Sequence, residues 1–158
     1  MDARLDFSAV NCSVAAALAI VGEKWTLLVL REAFFGLTRF DEMQEAIGCA
    51  RNILSNRLAT LVESGLLERT SYQQEGQRQR PEYRLTQQGV ELFPVVISLM
   101  NWGDRWLAKA GNAPIEIRHK ECTSPIHVEL RCARGHGPLN ANETFATPGP
   151  GAIRVVPH

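Results

Sequence analysis

The sequence lacks an excess of charge of either sign, because 17 Lys and Arg residues balance 17 Asp and Glu residues among 158. This balance argues against a uniformly basic nucleic-acid-binding protein, but binding depends on how cations are distributed rather than on their sum. A hydrophobic content of 45% at this length allows one core with a small appendage and excludes a large multidomain enzyme.

Long hydrophobic runs are lacking as well. The longest early run, "VAAALAIV" at residues 14–21, is about half the length of a membrane span and follows Asp2, Arg4 and Asp6 instead of a basic leader. We therefore expect a cytoplasmic protein without membrane contact. The cysteines are widely scattered and, without an export signal, are expected to be reduced: Cys12, Cys49, Cys122 and Cys132.

Motifs of catalysis are also missing. The sequence has no glycine-rich phosphate loop, no pair of catalytic carboxylates and no nucleophile motif. A thiol enzyme using Cys132 and His136 is the one enzymatic alternative that the residues offer. We expect the protein not to be an enzyme and to use no cofactor.

Short helical patterns fill the first part of the chain. Residues 14–21 and 24–35 are rich in Ala and Leu and are separated by Gly22, which predicts two consecutive helices. The segments "RFDEMQEAIG" and "ARNILSNRLATLVESG" follow, with a connection of only a few residues at Gly48. Two short helices joined by a tight turn are typical of a helix-turn-helix.

The second helix of this pair has two contrasting faces. Leu54, Leu58 and Leu61, with Val62, recur at a spacing that places them on one apolar face. The opposite face carries amides, hydroxyls and a small residue, flanked by two arginines: Asn52, Ser55, Asn56, Ala59 and Thr60, with Arg51 and Arg57. These groups can match base edges and phosphates in a DNA major groove. The alternative is a solvated helix face.

A hairpin is predicted directly after the helix pair. Gly65 ends the helix, "LLERTSY" and "EYRL" have the pattern of strands, and "QQEGQRQRP" forms the turn between them. Pro81 fits an edge strand or its first residue, where no ladder hydrogen bond is lost. A hairpin in this position is a wing. Arg78 and Arg80 would lie at its tip and reach the minor groove or nearby phosphates, although an arginine-rich turn can also be merely solvent-exposed.

The segment after the wing predicts a long helix. Thr86 is placed to cap it, and Pro94 is expected to kink or divide it. Two apolar stripes are predicted along it: Leu92, Val96, Leu99 and Trp106 in one, and Phe93, Ile97, Met100 and Trp102 in the other. So wide an apolar surface favours a homodimer, the alternative being a helix packed inside its own subunit.

The pattern changes again near residue 112. The segments "IEIRHKEC" and "IHVELRCARGHG" alternate enough to predict a small β-hairpin, and the Pro- and Gly-rich end is expected to be loosely ordered. We expect an α+β, mainly helical fold. It would consist of a winged helix-turn-helix with a long dimerisation helix at residues 1–111 and a hairpin tail at residues 112–158.

Several segments together carry a family resemblance between residues 12 and 107. An early Cys, "GEKW", "RF", "LSNRL", "GLLER" and "EYRLT" resemble the pattern of the HxlR family of bacterial transcriptional regulators, which are related to the MarR type. The resemblance implies dimers of winged-helix subunits that bind double-stranded DNA. It adds Arg39 of the "RF" pair to the candidate DNA-binding residues. We expect a repressor acting on a pseudo-palindromic operator, with an effector that the sequence does not identify.

The resemblance also implies a role for Cys12, since the family places a cysteine before its first helix and some members sense oxidants or electrophiles through it. The family pattern has Pro next, where this chain has Ser13. Cys49, at the entry to the recognition helix, is a second candidate sensor outside the general pattern. For both residues a plain packing role is the alternative.

The distal segment resembles a tail that contains a zinc ribbon in part of the family. Gly135 stands where the second cysteine of a Cys-x-x-Cys pair is expected. Four residues of suitable type remain: His119, Cys122, Cys132 and His136. We expect a metal-free remnant, with a metal-responsive regulator as the alternative.

Overall fold

The structure is a computed structural model that describes residues 8, 10–72, 80–109 and 112–153. The described residues between 20 and 127 form one compact unit, and those before 20 and after 127 form a second. The expected boundary between residues 111 and 112 stays a prediction, because residues 110 and 111 lie outside the described part of the chain.

Helices dominate the described residues, which also contain a two-stranded antiparallel sheet. The elements are α1 Ser13–Val21, α2 Lys24–Phe34, α3 Phe40–Ile47, α4 Arg51–Glu63, β1 Leu67–Tyr72, β2 Arg80–Leu85, α5 Gln87–Val90 and α6 Phe93–Trp106, followed by a single 3-10 turn at Ala141–Glu143. The predicted winged helix-turn-helix is confirmed, with α3 and α4 as the helix pair and β1 and β2 as the wing.

The turn between α3 and α4 depends on Gly48. This residue has a φ of 72°, a left-handed conformation that glycine adopts without a steric cost, and its N–H donates to the Gln44 carbonyl. Only Cys49 and Ala50 separate Gly48 from the first residue of α4. The two helices are therefore held at the short spacing that the sequence predicts.

The core lies along the apolar face of α4. Leu54, Leu58 and Leu61 are at most 1% exposed, and they cluster with Leu30 of α2 and Met43 of α3. Each such side chain contributes about 1.5–3 kcal/mol when it is fully removed from water. The buried face of α4 is the one that the leucine spacing predicts.

The wing is longer than expected at its second strand. β2 begins at Arg80, two residues before the predicted start, and Pro81 lies opposite Ser71 within the ladder. On its other side β2 is bridged to the residues before α3, where the Tyr83 N–H donates to the Thr38 carbonyl at 2.8 Å. This additional pairing ties the middle of β2 to the start of the helix pair.

The long helix predicted after the wing is divided as expected. The Thr86 hydroxyl accepts a hydrogen bond from the Gly89 N–H at 3.1 Å and caps α5. Pro94 lies in the first turn of α6, where its missing N–H has no partner to lose. The proline therefore starts a second helix instead of interrupting one.

The distal segments form less regular structure than predicted. Within the unit of residues 20–127, Arg118 and Pro125 form an isolated bridge, and the Ile126 N–H donates to the Ile117 carbonyl. Pro125 has no N–H to extend the ladder. In the second unit, the Leu139 N–H donates to the Leu130 carbonyl and closes a separate turn. The two predicted strands thus pair only over this short turn, and the second strand also closes a separate narrow loop.

Among the described residues, no single helix is long and apolar enough to cross a membrane. Of these helices, only α1 and α2 together, which are bent by 79° at their break, have sufficient length and apolar content.

Gly89 permits a close contact that can be tested. A Cβ atom at this position would lie 2.1 Å from the Leu66 carbonyl oxygen, whereas a Cβ at Gly103 of α6 would meet no atom within 4 Å. We expect Gly89→Ala to lower the free energy of unfolding by about 2–3 kcal/mol through overpacking. Gly103→Ala should leave it unchanged or raise it by up to about 1 kcal/mol. Urea unfolding at one fixed protein concentration measures both, and equal midpoints would contradict the prediction.

Candidate nucleic-acid interface

The face of α4 that is turned away from the core is polar and open. Asn52, Ser55 and Asn56 are exposed, whereas Arg57 and Thr60 are half-buried. The Thr60 hydroxyl donates to the Asn56 carbonyl at 3.0 Å, which leaves its oxygen able to accept from another group. Amides and hydroxyls on one exposed helix face have the donors and acceptors that base edges require.

The N-terminus of α4 favours an anion. Ala50 occupies the N-cap and provides no side-chain hydrogen bond, and the first turn contains no acidic residue. The first N–H groups of a helix and its dipole together attract negative charge. A DNA phosphate is one such charge.

Arg51, the first residue of α4, is held in place by three neighbours in α3. Its Nη1 atom donates to Asp41 Oδ1 at 3.0 Å and to Gln44 Oε1 at 2.9 Å. Its guanidinium carbon lies 4.7 Å from the centroid of the Phe40 ring. Although organised in this way, the side chain remains 67% exposed.

Two further candidate arginines lie close by. Arg80 Nη1 is 3.8 Å from Asp41 Oδ2, and Arg39 Nε is 3.7 Å from Glu82 Oε1. Arg39, Arg51 and Arg80 line one open depression of about 460 Å³, together with Phe40, Asp41, Glu42 and Pro81. The structure thus brings together three of the predicted DNA-binding arginines from α4, the wing and the segment before α3. Arg78 lies outside the described residues, and its role stays a prediction.

The apolar surface of α6 is divided differently from the prediction. Val96 and Ile97, placed in separate stripes by the sequence, are both buried, and Phe93 makes an edge contact with Phe34 of α2 at 5.1 Å between ring centroids. One stripe remains exposed, with exposures from 46% to 65%: Val95, Leu99, Trp102 and Trp106. These residues follow one another at gaps of four, three and four positions, an alternation that is typical of a helix seam.

The two candidate sensor cysteines differ in accessibility. Cys12 is half-buried immediately before α1 and lines an open depression of about 610 Å³ formed by residues 8, 11–13, 146–149, 151 and 152 of the same unit. Cys49 is only 6% exposed and belongs to the core cluster. Its burial favours a packing role, and sensing by either cysteine stays a prediction.

The distal Cys and His residues form pairs. His119 Nδ1 lies 3.3 Å from the Cys122 sulfur, and hydrogen bonds from the side chain and then the backbone of Ser124 lower the pKa of this exposed thiol. The Cys132 N–H donates to the His136 carbonyl at 3.0 Å. Within the described ranges, no three His, Cys, Asp or Glu side chains are grouped so that they could hold a metal ion.

Sequence reasoning missed the acidic and aromatic partners of the arginines. Asp41, Gln44 and Phe40 organise Arg51, while Glu82 is buried and also accepts a hydrogen bond from Arg84 at 2.9 Å. No local pattern indicates the contacts of Arg51, because they join residues from different elements. The first-turn acids of α3 are visible in the sequence only as ordinary helix-start residues.

Comparisons with known proteins agree with this geometry. The model of the HxlR-like helix-turn-helix family matches residues 20–111. The Mycobacterium bovis protein named "Uncharacterized HTH-type transcriptional regulator Mb3122" is 43% identical over 139 residues, which cover 88% of this chain and 87% of that protein. Relatives named as transcriptional regulators point to a role other than catalysis.

Two solved structures extend the comparison. PA1607, described as a putative transcription factor, superposes with a TM-score of 0.79 at 33% identity and covers 89% of this chain and 96% of its own. The redox regulator HypR in its oxidized form has a TM-score of 0.54 at 28% identity and covers 60% of this chain and 96% of its own. The similarity to HypR is thus confined to part of this chain.

Proposed function

The chain belongs to the HxlR-like helix-turn-helix family, and we propose on that premise that it is a dimeric repressor that binds a pseudo-palindromic DNA operator. The observation that carries this proposal is the exposed polar face of α4 beside a depression lined by Arg39, Arg51 and Arg80. Such a surface combines groups for reading bases with groups for binding phosphates. A chain without net charge can therefore still present a local site for DNA.

The two parts of this surface have different tasks in the proposed complex. Asn52, Ser55 and Asn56 enter the major groove on α4 and contact base edges. The arginines of the depression contact the sugar-phosphate backbone and fix the orientation of the helix. Occupation of an operator that overlaps a promoter would exclude the transcription machinery.

Mutations can separate these tasks. We expect Arg80→Ala to weaken binding to every duplex and to reduce the slope of log affinity against log salt by about 1, because one phosphate contact is lost. Asn56→Ala should change the preference among sites by about 1–3 kcal/mol for a lost bidentate base contact, with little change in slope. Fluorescence anisotropy with the protein's own upstream DNA and a scrambled duplex measures both effects.

Lys109→Ala is the matched control, since Lys109 is an exposed cation outside the depression. It should bind like the wild type. A salt slope in Arg80→Ala that equals the slope of this control would remove the loop end of the wing, where Arg80 pairs with Tyr72, from the proposed interface.

Dimerisation is proposed from the exposed stripe of α6. Leu99 and Trp102 are 50% and 56% exposed, and Trp106 is 65% exposed. Large apolar side chains repeated along one helix face are stabilised when a second copy covers them. Two recognition helices related by a twofold axis would then meet half-sites about 34 Å apart, one turn of DNA.

Light scattering tests the dimer directly. At micromolar concentration, we expect the wild type to show about twice the mass of one chain, since an apolar interface of this kind is stable when large. Trp102→Glu should give the monomer mass, because it places a charge in the proposed contact. Leu130→Glu, at a position 68% exposed in the other unit, should remain dimeric. A dimeric Trp102→Glu variant would exclude this stripe as the interface.

Thiol chemistry at Cys12 is the proposed signal for release. Cys12 lines an open depression, lies next to the N-terminus of α1, and accepts the Ala16 N–H on its carbonyl at 3.0 Å. HypR, to which part of this chain is similar, is a redox regulator. A quinone electrophile would form a thioether at the Cys12 sulfur, while an azo oxidant would take two electrons and two protons as two thiols form a disulfide.

Replacement of single cysteines tests this signal. We expect diamide to reduce operator affinity of the wild type and of Cys122→Ser, but not of Cys12→Ser, in mobility-shift titrations. Cys122→Ser is the informative control, because the lowered pKa of the Cys122 thiol favours the thiolate although this residue lies outside α1. Equal responses of the wild type and Cys12→Ser would assign Cys12 to packing. A non-reducing gel with Cys49→Ser tests the additional hypothesis of a Cys12–Cys49 bridge between subunits.

A further inference from the structure

The Asp41 carboxylate lies between two guanidinium groups from different elements. Its Oδ1 atom accepts a hydrogen bond from Arg51 Nη1 at 3.0 Å, and its Oδ2 atom is 3.8 Å from Arg80 Nη1. Arg51 starts the recognition helix and Arg80 starts the second strand of the wing. An anion with two oxygens between two arginines is also the arrangement that a DNA phosphodiester would adopt.

We propose that Arg51 and Arg80 form a binding site for one DNA phosphodiester and that Asp41 occupies this site in the DNA-free protein. The inference rests on the proposed function, since it assumes that the protein binds DNA. In this proposal Asp41 competes with the phosphates of every DNA sequence for Arg51 and Arg80. Asp41 would thereby weaken non-specific binding without contacting a base.

The exposure of the group explains why Asp41 can leave. The side chains of Asp41, Arg51 and Arg80 are 63%, 67% and 68% exposed, and ion pairs in contact with water are weak. The distance to Arg80 exceeds that of a hydrogen bond. A phosphate that carries a full charge can replace such a partner at little cost.

Arg51 would keep its position after this exchange. The hydrogen bond to Gln44 Oε1 and the contact with the Phe40 ring do not involve Asp41. The site is therefore organised before DNA arrives, which limits the entropy that binding would lose. The uncapped N-terminus of α4, where Arg51 lies, adds a further attraction for the phosphate.

The neighbouring arginine shows the contrasting case. Arg39 lies near Glu82, whose side chain is only 9% exposed and also accepts a hydrogen bond from Arg84. A buried carboxylate with two cationic neighbours cannot swing into solvent as an exposed one can. Arg39 is thus fixed to the wing by its acid, whereas Arg51 and Arg80 share an acid that can be displaced.

The experiment compares Asp41→Asn with Glu91→Gln. Each variant removes one carboxylate, so both change the net charge equally. Glu91 is exposed and lies outside the depression, which makes Glu91→Gln the control. Affinity is measured by fluorescence anisotropy at several salt concentrations, with a scrambled duplex and with the protein's own upstream DNA. We expect Asp41→Asn to bind both duplexes about two- to fivefold more tightly than Glu91→Gln, with a salt slope steeper by about 0.9.

The gain should disappear when Arg51→Ala and Arg80→Ala are combined with Asp41→Asn, because the site is then absent. Equal affinities and slopes for Asp41→Asn and Glu91→Gln would overturn the inference while leaving wild-type DNA binding, and thus the proposed function, intact. Weaker binding by a folded Asp41→Asn, as judged by circular dichroism, would also overturn it. If the wild type binds neither duplex, the proposed function fails and the inference with it. Asp41→Ser carries the same test should the Asn variant unfold.

Discussion

The structure depends on the fact that α4 can bury only one of its faces. The core with α2 and α3 buries one face of α4 through Leu54, Leu58 and Leu61. The opposite face must therefore contact solvent or a partner. The chain leaves α4 through Leu66 and Leu67, which are also buried, and this anchors the wing beside the helix. The burial of this one face of α4 therefore positions both the polar helix face and the base of the wing.

The charges around this scaffold are balanced locally as well as over the whole chain. Asp41, Glu42 and Glu82 lie among the three arginines of the depression. Glu82 differs from the other two because it is buried and bridged through its backbone to Arg39. The buried acid holds the wing against the segment before α3, while the exposed acids set how much positive charge the surface shows. Under the proposed function, different carboxylates would therefore act on stability and on DNA affinity.

Much of the fold could be predicted because its signals are local. Gly48, Thr86 and Pro94 each determine a helix boundary through their own backbone or side-chain chemistry, and all three predictions are confirmed. The division of α6 into buried and exposed stripes could not be predicted, because it depends on Phe34 of α2 meeting Phe93. The partners of Arg51 are ten and seven residues away and belong to another helix. The spacing of residues along one helix or strand does not indicate which residues of another element they will contact.

The cysteines show that reactivity and coupling to the DNA-binding surface are separate requirements for a sensor. Cys122 is exposed and its pKa is lowered by Ser124, but it lies in a narrow loop outside the helices. Cys49 lies between α3 and α4, where a change would move the recognition helix, but it is buried. Cys12 is half-buried, and the helix that follows it runs to Val21 in the core. Of these three thiols, Cys12 alone is half-buried and lies directly before a helix, and this combination favours it as the site of a signal.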